Sequence, residues 1–143
     1  MRWESGYLLH IHIAPMASAN MVELNEAELV AGKGIVNDRY YKQNGSYSKI
    51  PDIRDVTLIE NEVLEALASN QPPLQDKPII LKPVEHRRNL TTSGVPLNYL
   101  VGKKFQIGEV ILKGGRLNFP CKYLADLLQK PLVLPLYNRS GLN

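Results

Sequence analysis

A single cysteine, Cys121, is present among the 143 residues. One thiol cannot build an intramolecular disulfide framework, so the chain is expected to work in a reducing compartment, the cytoplasm. Long apolar runs are missing too: nothing approaches the ~20 residues that a membrane-spanning helix needs. The apolar strip between Met1 and Pro15 is interrupted by His10 and His12, and no small-residue cleavage site follows it, so it does not read as a signal peptide. Neither sign of charge dominates. Seventeen Lys and Arg against 14 Asp and Glu leave a net charge of +3, which draws small anions as readily as nucleic acid; charge alone therefore selects no partner, and nucleic acid, resting on that balance only, is not the expected one. The spacings GxxxxGK[ST], GxGxxG and G-x-S-x-G do not occur, which leaves no sequence sign of a phosphate loop, a dinucleotide fold or a serine-hydrolase elbow. There is no internal repeat, low-complexity tract or linker. An apolar fraction of 44% with 22% charged residues then describes one globular domain over 1–143.

What is present reads mostly as short strands. Tyr7, Leu9, Ile11 and Ile13 alternate with Leu8, His10 and His12, the period of a strand with one buried face, and Pro15 ends it. Met21 to Val30 reads as a second strand, broken by Gly32-Lys33-Gly34. Tyr40 to Ile50 is polar, with Asn44-Gly45 as a turn signal. Val56 to Ile59 is a short β-branched run, after which Val63, Leu64, Leu67 and Ala68 fall at helical spacing. Further strands are expected at Ile79 to Leu81, in the stretch His86 to Gly94, and at Lys104 to Ile107 and Val110 to Leu112, the last two as a hairpin around Gly108-Glu109. Pro96 to Leu100 suits a helical turn, and Lys122 to Gln129, behind Pro120, suits a second helix. Many short strands with one or two helices predict a β-rich barrel or sandwich, not alternating βαβ units.

Three groups of residues bear chemistry. His10 and His12 share one face of a strand and could chelate zinc, but no third ligand sits at a telling spacing, so a structural or surface role is the simpler account. Cys121 follows a proline at the start of an expected helix, beside Lys122. The helix dipole and that lysine favour a thiolate suited to a soft metal or to sulfur transfer, while a small buried hydrophobe remains the plain alternative. The stretch HRRNLTTSG, His86 to Gly94, crowds two guanidinium groups, three hydroxyls and a flexible glycine together. It suits an oxyanion or phosphate site, or else surface salt bridges and a turn.

The order of four blocks is more telling than any one. GKGIVNDRYY (Gly32 to Tyr41), IRDVTLIENEVL (Ile53 to Leu64), RRNLTTSGVPLNYLVGKKFQIGEVIL (Arg87 to Leu112) and FPCKYL (Phe119 to Leu124) resemble, in that succession, the MOSC domain. This domain forms the C-terminal part of molybdenum cofactor sulfurases and also occurs as small stand-alone bacterial proteins. The resemblance implies a β-rich, mixed-strand, partly closed β-barrel with a few short helices. It further implies molybdenum cofactor (molybdopterin) binding, in sulfur transfer through a cysteine or in reduction of N-hydroxylated compounds. That is the work of a sulfurtransferase or oxidoreductase; the alternative is a non-catalytic sulfur or anion carrier serving a partner enzyme.

Residue by residue, the resemblance makes Cys121 the molybdenum ligand or persulfide carrier. It assigns Arg87, Arg88 and Thr92 to phosphate and pterin contacts and Asn89 to shaping the loop. Gly94 completes the T-x-G step, and Asp38 and Arg39 match the D-R pair of the first block. A cysteine desulfurase or a redox protein is the implied partner, and pyridoxal phosphate would enter only through a separate protein. The chain departs from the family pattern at Asn37, where a glycine is usual. It also reaches Asn143 without the family's final strand pair, so the domain is expected to lack its last strands.

Overall fold

Alternation of apolar and polar side chains produces strands here wherever a partner strand is within reach. The computed structural model describes residues 5–45, 55–71, 73, 75–119, 122–132, 135–136 and 139–143. In chain order its elements are β1 (Tyr7–Ile13), β2 (Val22–Leu24), β3 (Leu29–Val30), β4 (Gly34–Ile35), β5 (Leu58–Glu60), α1 (Asn61–Ser69), β6 (Leu90–Ser93), a 3-10 turn (Leu97–Leu100), β7 (Lys104–Ile107), β8 (Val110–Lys113) and α2 (Lys122–Leu128). Among the described residues the molecule is thus strand-rich with two short helices. The principal sheet runs β2-β1-β6-β5, with β1 antiparallel to both β2 and β6 and with β5 parallel to β6. β3 pairs with β4 and β7 with β8 as separate two-stranded units, and among the described residues no sheet closes on itself.

The register divides the principal sheet into two faces. Ile11 pairs with Leu24 and Leu90, and Leu90 with Leu58. These residues share one face, over which Ile35, Val95, Leu97, Leu100 and Leu142 pack, flanked by Phe105 and Ile107 from the β7–β8 hairpin. His12 pairs with Glu23, His10 with Thr91 and Thr91 with Ile59, so these share the opposite face. There Ile59 joins Val63, Leu64 and Leu67 of α1, Leu124 of α2, and Ile79, Leu81, Leu132 and Leu136 in a second core. Each such leucine or isoleucine contributes about 1.5–3 kcal/mol when fully withdrawn from water, so both faces hold the sheet. α1 starts directly behind β5 at Glu60 and stops at Asn70, whose left-handed backbone (φ 51°) ends the helix.

The structure redraws several expected elements. The single strand expected over Met21 to Val30 is two: β2 ends at Leu24, opposite Ile11 of β1, and Leu29–Val30 folds back on Gly34–Ile35. Ile79 to Leu81 is no strand. It lies between Pro78 and Pro83, its Ile79 amide donates to the Leu67 carbonyl at the end of α1 (2.9 Å), and its buried side chains cover that helix. The Leu97–Leu100 turn, the β7–β8 hairpin and both helices stand where the periodicity predicts them, within one or two residues. The far end of the polar stretch expected over 40–50 lies outside the described residues. No helix among the described residues is long and apolar enough to cross a membrane.

Candidate functional site

The stretch that enters β6 carries a dense, buried polar network. His86, Arg87, Arg88 and Asn89 are all buried, as are Asp38 and Arg39. Burying so many ionisable groups is costly unless each finds a partner, so the partners reveal what each residue does.

Asn89 is a brace. Its Oδ1 accepts from the Thr57 amide and hydroxyl (3.1 Å each), its Nδ2 donates to the His12 carbonyl (3.1 Å), and its own amide donates to Thr57 Oγ1 (3.1 Å). It therefore ties β1 and the approach to β5 to β6. Arg88 is spent on the framework as well: Nε donates to the Ser140 carbonyl (3.0 Å), Nη1 to the His86 carbonyl (2.9 Å), and Nη2 to Asn118 Oδ1 (2.7 Å) and Ser140 Oγ (2.6 Å). The structure thus gives Arg88 the task of anchoring the 139–143 segment.

His86 is fully buried and its tautomer is fixed by its neighbours. The Arg88 amide must donate, so His86 Nδ1 accepts it (2.9 Å), and Nε2 carries the proton towards Thr91 Oγ1 (2.8 Å). Burial, and then the charge of Arg88, hold the imidazole well below its usual range for protonation. His12, whose ring meets that of His86 edge-on at 6.3 Å, is likewise pushed down by burial, against the pull of Glu23. Unfolded imidazoles bind protons near pH 6.5. Below that pH the unfolded state therefore holds more protons than the folded one. Stability should be complete above pH 6.5 and fall on acidification by up to about 1.4 kcal/mol per pH unit for each such histidine. Urea unfolding at pH 5, 6 and 7 measures the slope, which His86→Gln should reduce.

Arg87 differs from its neighbour. Its backbone is left-handed (φ 65°), a conformation that costs a non-glycine residue about 1–2 kcal/mol, and this turn sends consecutive arginines to different surroundings. Its carbonyl accepts from Arg39 Nη2 (2.8 Å), and its own Nη1 donates to the Ala19 carbonyl (2.6 Å). Its Nη2 is buried and has no hydrogen-bond partner among the described residues. Arg39 in turn pairs with Asp38 (3.0 Å), and Asp38 is held by the Ala14 amide (3.0 Å) and lies at the foot of the β4 turn. Arg39 also stacks over Tyr40, with its guanidinium carbon 4.4 Å from the ring centre. Burial, then the field of Arg39, lower the proton affinity of Arg87, but a guanidinium stays charged under any ordinary condition. The Asp38, Arg39 and Arg87 group therefore holds two cations and one carboxylate. An anion is the ligand such a group can accept.

The first and third sequence blocks thus meet through Asp38, Arg39 and Arg87. Thr92 and Gly94 do not join them. Thr92 lies near the far end of β6, where its hydroxyl reaches the Ile59 carbonyl (3.4 Å), and the Gly94 amide donates to the Glu62 carboxylate (3.2 Å). Cys121 lies outside the described residues. Tyr123, two positions further along the chain in α2, bonds through its hydroxyl to Ser18 Oγ (2.6 Å), in the same loop whose Ala19 carbonyl receives Arg87. Tyr123, Ser18 and Ala19 were not expected in the site, and nothing in a lone tyrosine or a Ser-Ala pair marks them in advance. His10 and His12 do share a face, with His10 Nδ1 against Glu23 Oε1. Even so, among the described residues no group of three or more His, Cys, Asp or Glu side chains is arranged to hold a metal ion.

No family model matches the chain, and no curated protein matches it in sequence. In three dimensions it is similar to the crystal structure of the YUAD protein from Bacillus subtilis, with a TM-score of 0.69 at 17% identity, over 96% of this chain and 88% of that one. The strand-rich arrangement described above is therefore a fold that an experimentally determined bacterial protein shares over nearly its whole length.

Proposed function

We propose that the protein is a MOSC-like domain that binds the molybdenum cofactor through its anionic end, at Arg87. The observation that carries this reading is the buried, unpartnered Nη2 of Arg87 beside Arg39, with Asp38 as the group's single carboxylate among the described residues. A terminal phosphate offers several acceptor oxygens and a double negative charge, which such a donor pair suits. On this reading the principal sheet and the two hairpins correspond to the partly closed barrel that the sequence resemblance implies.

Arg87 would hold the anionic group, and the bond from Arg39 to the Arg87 carbonyl would keep the strained backbone in place. Cys121 would bind the metal or carry sulfur, a role that rests on the sequence resemblance. The cofactor, when bound, would supply redox or sulfur chemistry at molybdenum. The residues of the chain would orient it and keep water from the Arg87 side.

Protein purified from a host that makes the cofactor should contain molybdenum close to one equivalent and release a fluorescent pterin on oxidation. Arg87→Met should lower both at least tenfold while the thermal transition persists, and Cys121→Ala should lower the metal content. Wild-type protein free of metal and pterin from such a host would overturn the proposal.

A further inference from the structure

A second feature lies away from the Arg87 group, at the start of β1. Between the start of β1, the Leu97–Leu100 turn and β7 opens a cleft of about 1050 Å³. That lies at the upper end of the ~300–1,000 Å³ typical of small-molecule sites. Its walls are largely apolar, with Tyr7, Leu8, Pro96, Tyr99, Phe105 and Ile107 among them, and Tyr7 and Tyr99 leave 73% and 75% of their surface to solvent. Large rings left this exposed around a concave space are unusual on a surface that has no ligand to meet.

The charge on the cleft has one sign. Lys103 and Lys104 line it, no carboxylate side chain does so among the described residues, and neither lysine is in an ion pair there. Lys113, opposite Lys104 in the hairpin register, adds to the same positive field. Lysine suits a single compact anion, and its aliphatic stem extends the apolar wall.

We infer that this cleft binds an amphipathic organic anion, a carboxylate with an apolar body, whose head meets Lys103 and Lys104 and whose body lies against Tyr7, Tyr99 and Phe105. The site stands apart from the Arg87 group, since none of Asp38, Arg39 and Arg87 is among the residues that line it, while Thr92 and Leu58 form its floor. Its occupancy should not depend on molybdenum.

Calorimetric titration of the full chain with dodecanoate, below its micelle concentration, tests this. One equivalent should bind, and uncharged dodecan-1-ol should bind at least tenfold more weakly. Lys103→Glu with Lys104→Glu, both on exposed side chains, should weaken dodecanoate at least tenfold. Tyr99→Ala should weaken both ligands at least threefold. In amide spectra the shifts should cluster at Gly6 to Leu8, Thr92, Val95 and Lys104 to Gly108. Absence of saturable binding, equal binding by the double lysine variant, or shifts confined to other parts of the chain would each overturn the assignment.

Discussion

Replacing Gly141 by alanine should destabilise the protein by about 4 kcal/mol or more, which would leave only about 1 kcal/mol if its stability is at the lower end of the usual ~5–15 kcal/mol range. An alanine Cβ at this position would stand 2.0 Å from the Leu58 carbonyl oxygen, and the backbone there (φ 113°) is one that side-chain-bearing residues avoid. The oxygen cannot simply retreat, because it accepts from the Leu142 amide (2.9 Å) while the Leu58 amide donates back to the Leu142 carbonyl (2.8 Å). Relief requires parting the 140–143 segment from β5. That breaks both bonds, displaces Ser140 from Arg88 and opens the core around Leu142. Gly108→Ala is the control. Gly108 also has a positive φ, of 57°, but an added Cβ would meet nothing within 4 Å, so only about 1–2 kcal/mol should be lost. Urea denaturation of the two variants side by side gives the comparison, and equal losses would show that the close approach at Leu58 does not matter.

Asn89→Ala should cost about 3–5 kcal/mol. The change leaves the Thr57 amide and the His12 carbonyl buried without their side-chain partner, at about 1–3 kcal/mol each, and withdraws an acceptor from the Thr57 hydroxyl. Thr57→Val removes the hydroxyl that both donates to Asn89 Oδ1 and accepts from the Asn89 amide. The two changes should therefore be strongly non-additive, and a double-mutant cycle should return a coupling of about 1–2 kcal/mol. Additive losses would mean that the strands are held by their ladder bonds and the apolar core, with Asn89 a bystander.

The local elements were largely legible in the sequence because their signals are local. The alternation from Tyr7 to Ile13, the helical spacing of Val63, Leu64 and Leu67, and the Gly108-Glu109 turn each determine an element without reference to the rest of the chain. Ile79 to Leu81 misled because a buried apolar run between two prolines looks the same whether it meets a strand or a helix. The candidate site was legible only in part. Arg87 and Arg88 are chemically identical neighbours, and which of them is spent on the framework depends on the left-handed turn at Arg87 and on Ser140, more than fifty residues away. Similarly, Thr92 and Gly94 share a sequence block with Arg87, yet extended chain carries them away from it.

The placement of Asn89 also bears on how fast the native state is reached. Its partners lie 32 residues away at Thr57 and 77 away at His12, and β6 draws both of its sheet neighbours from similarly remote parts of the chain. Each of these loops must close, at an entropic cost, before any bond at Asn89 can form. Refolding should therefore fall in the slow, millisecond-to-second regime of proteins dominated by non-local strand pairing. Asn89, central to the finished sheet, would then be among the last residues to find its place.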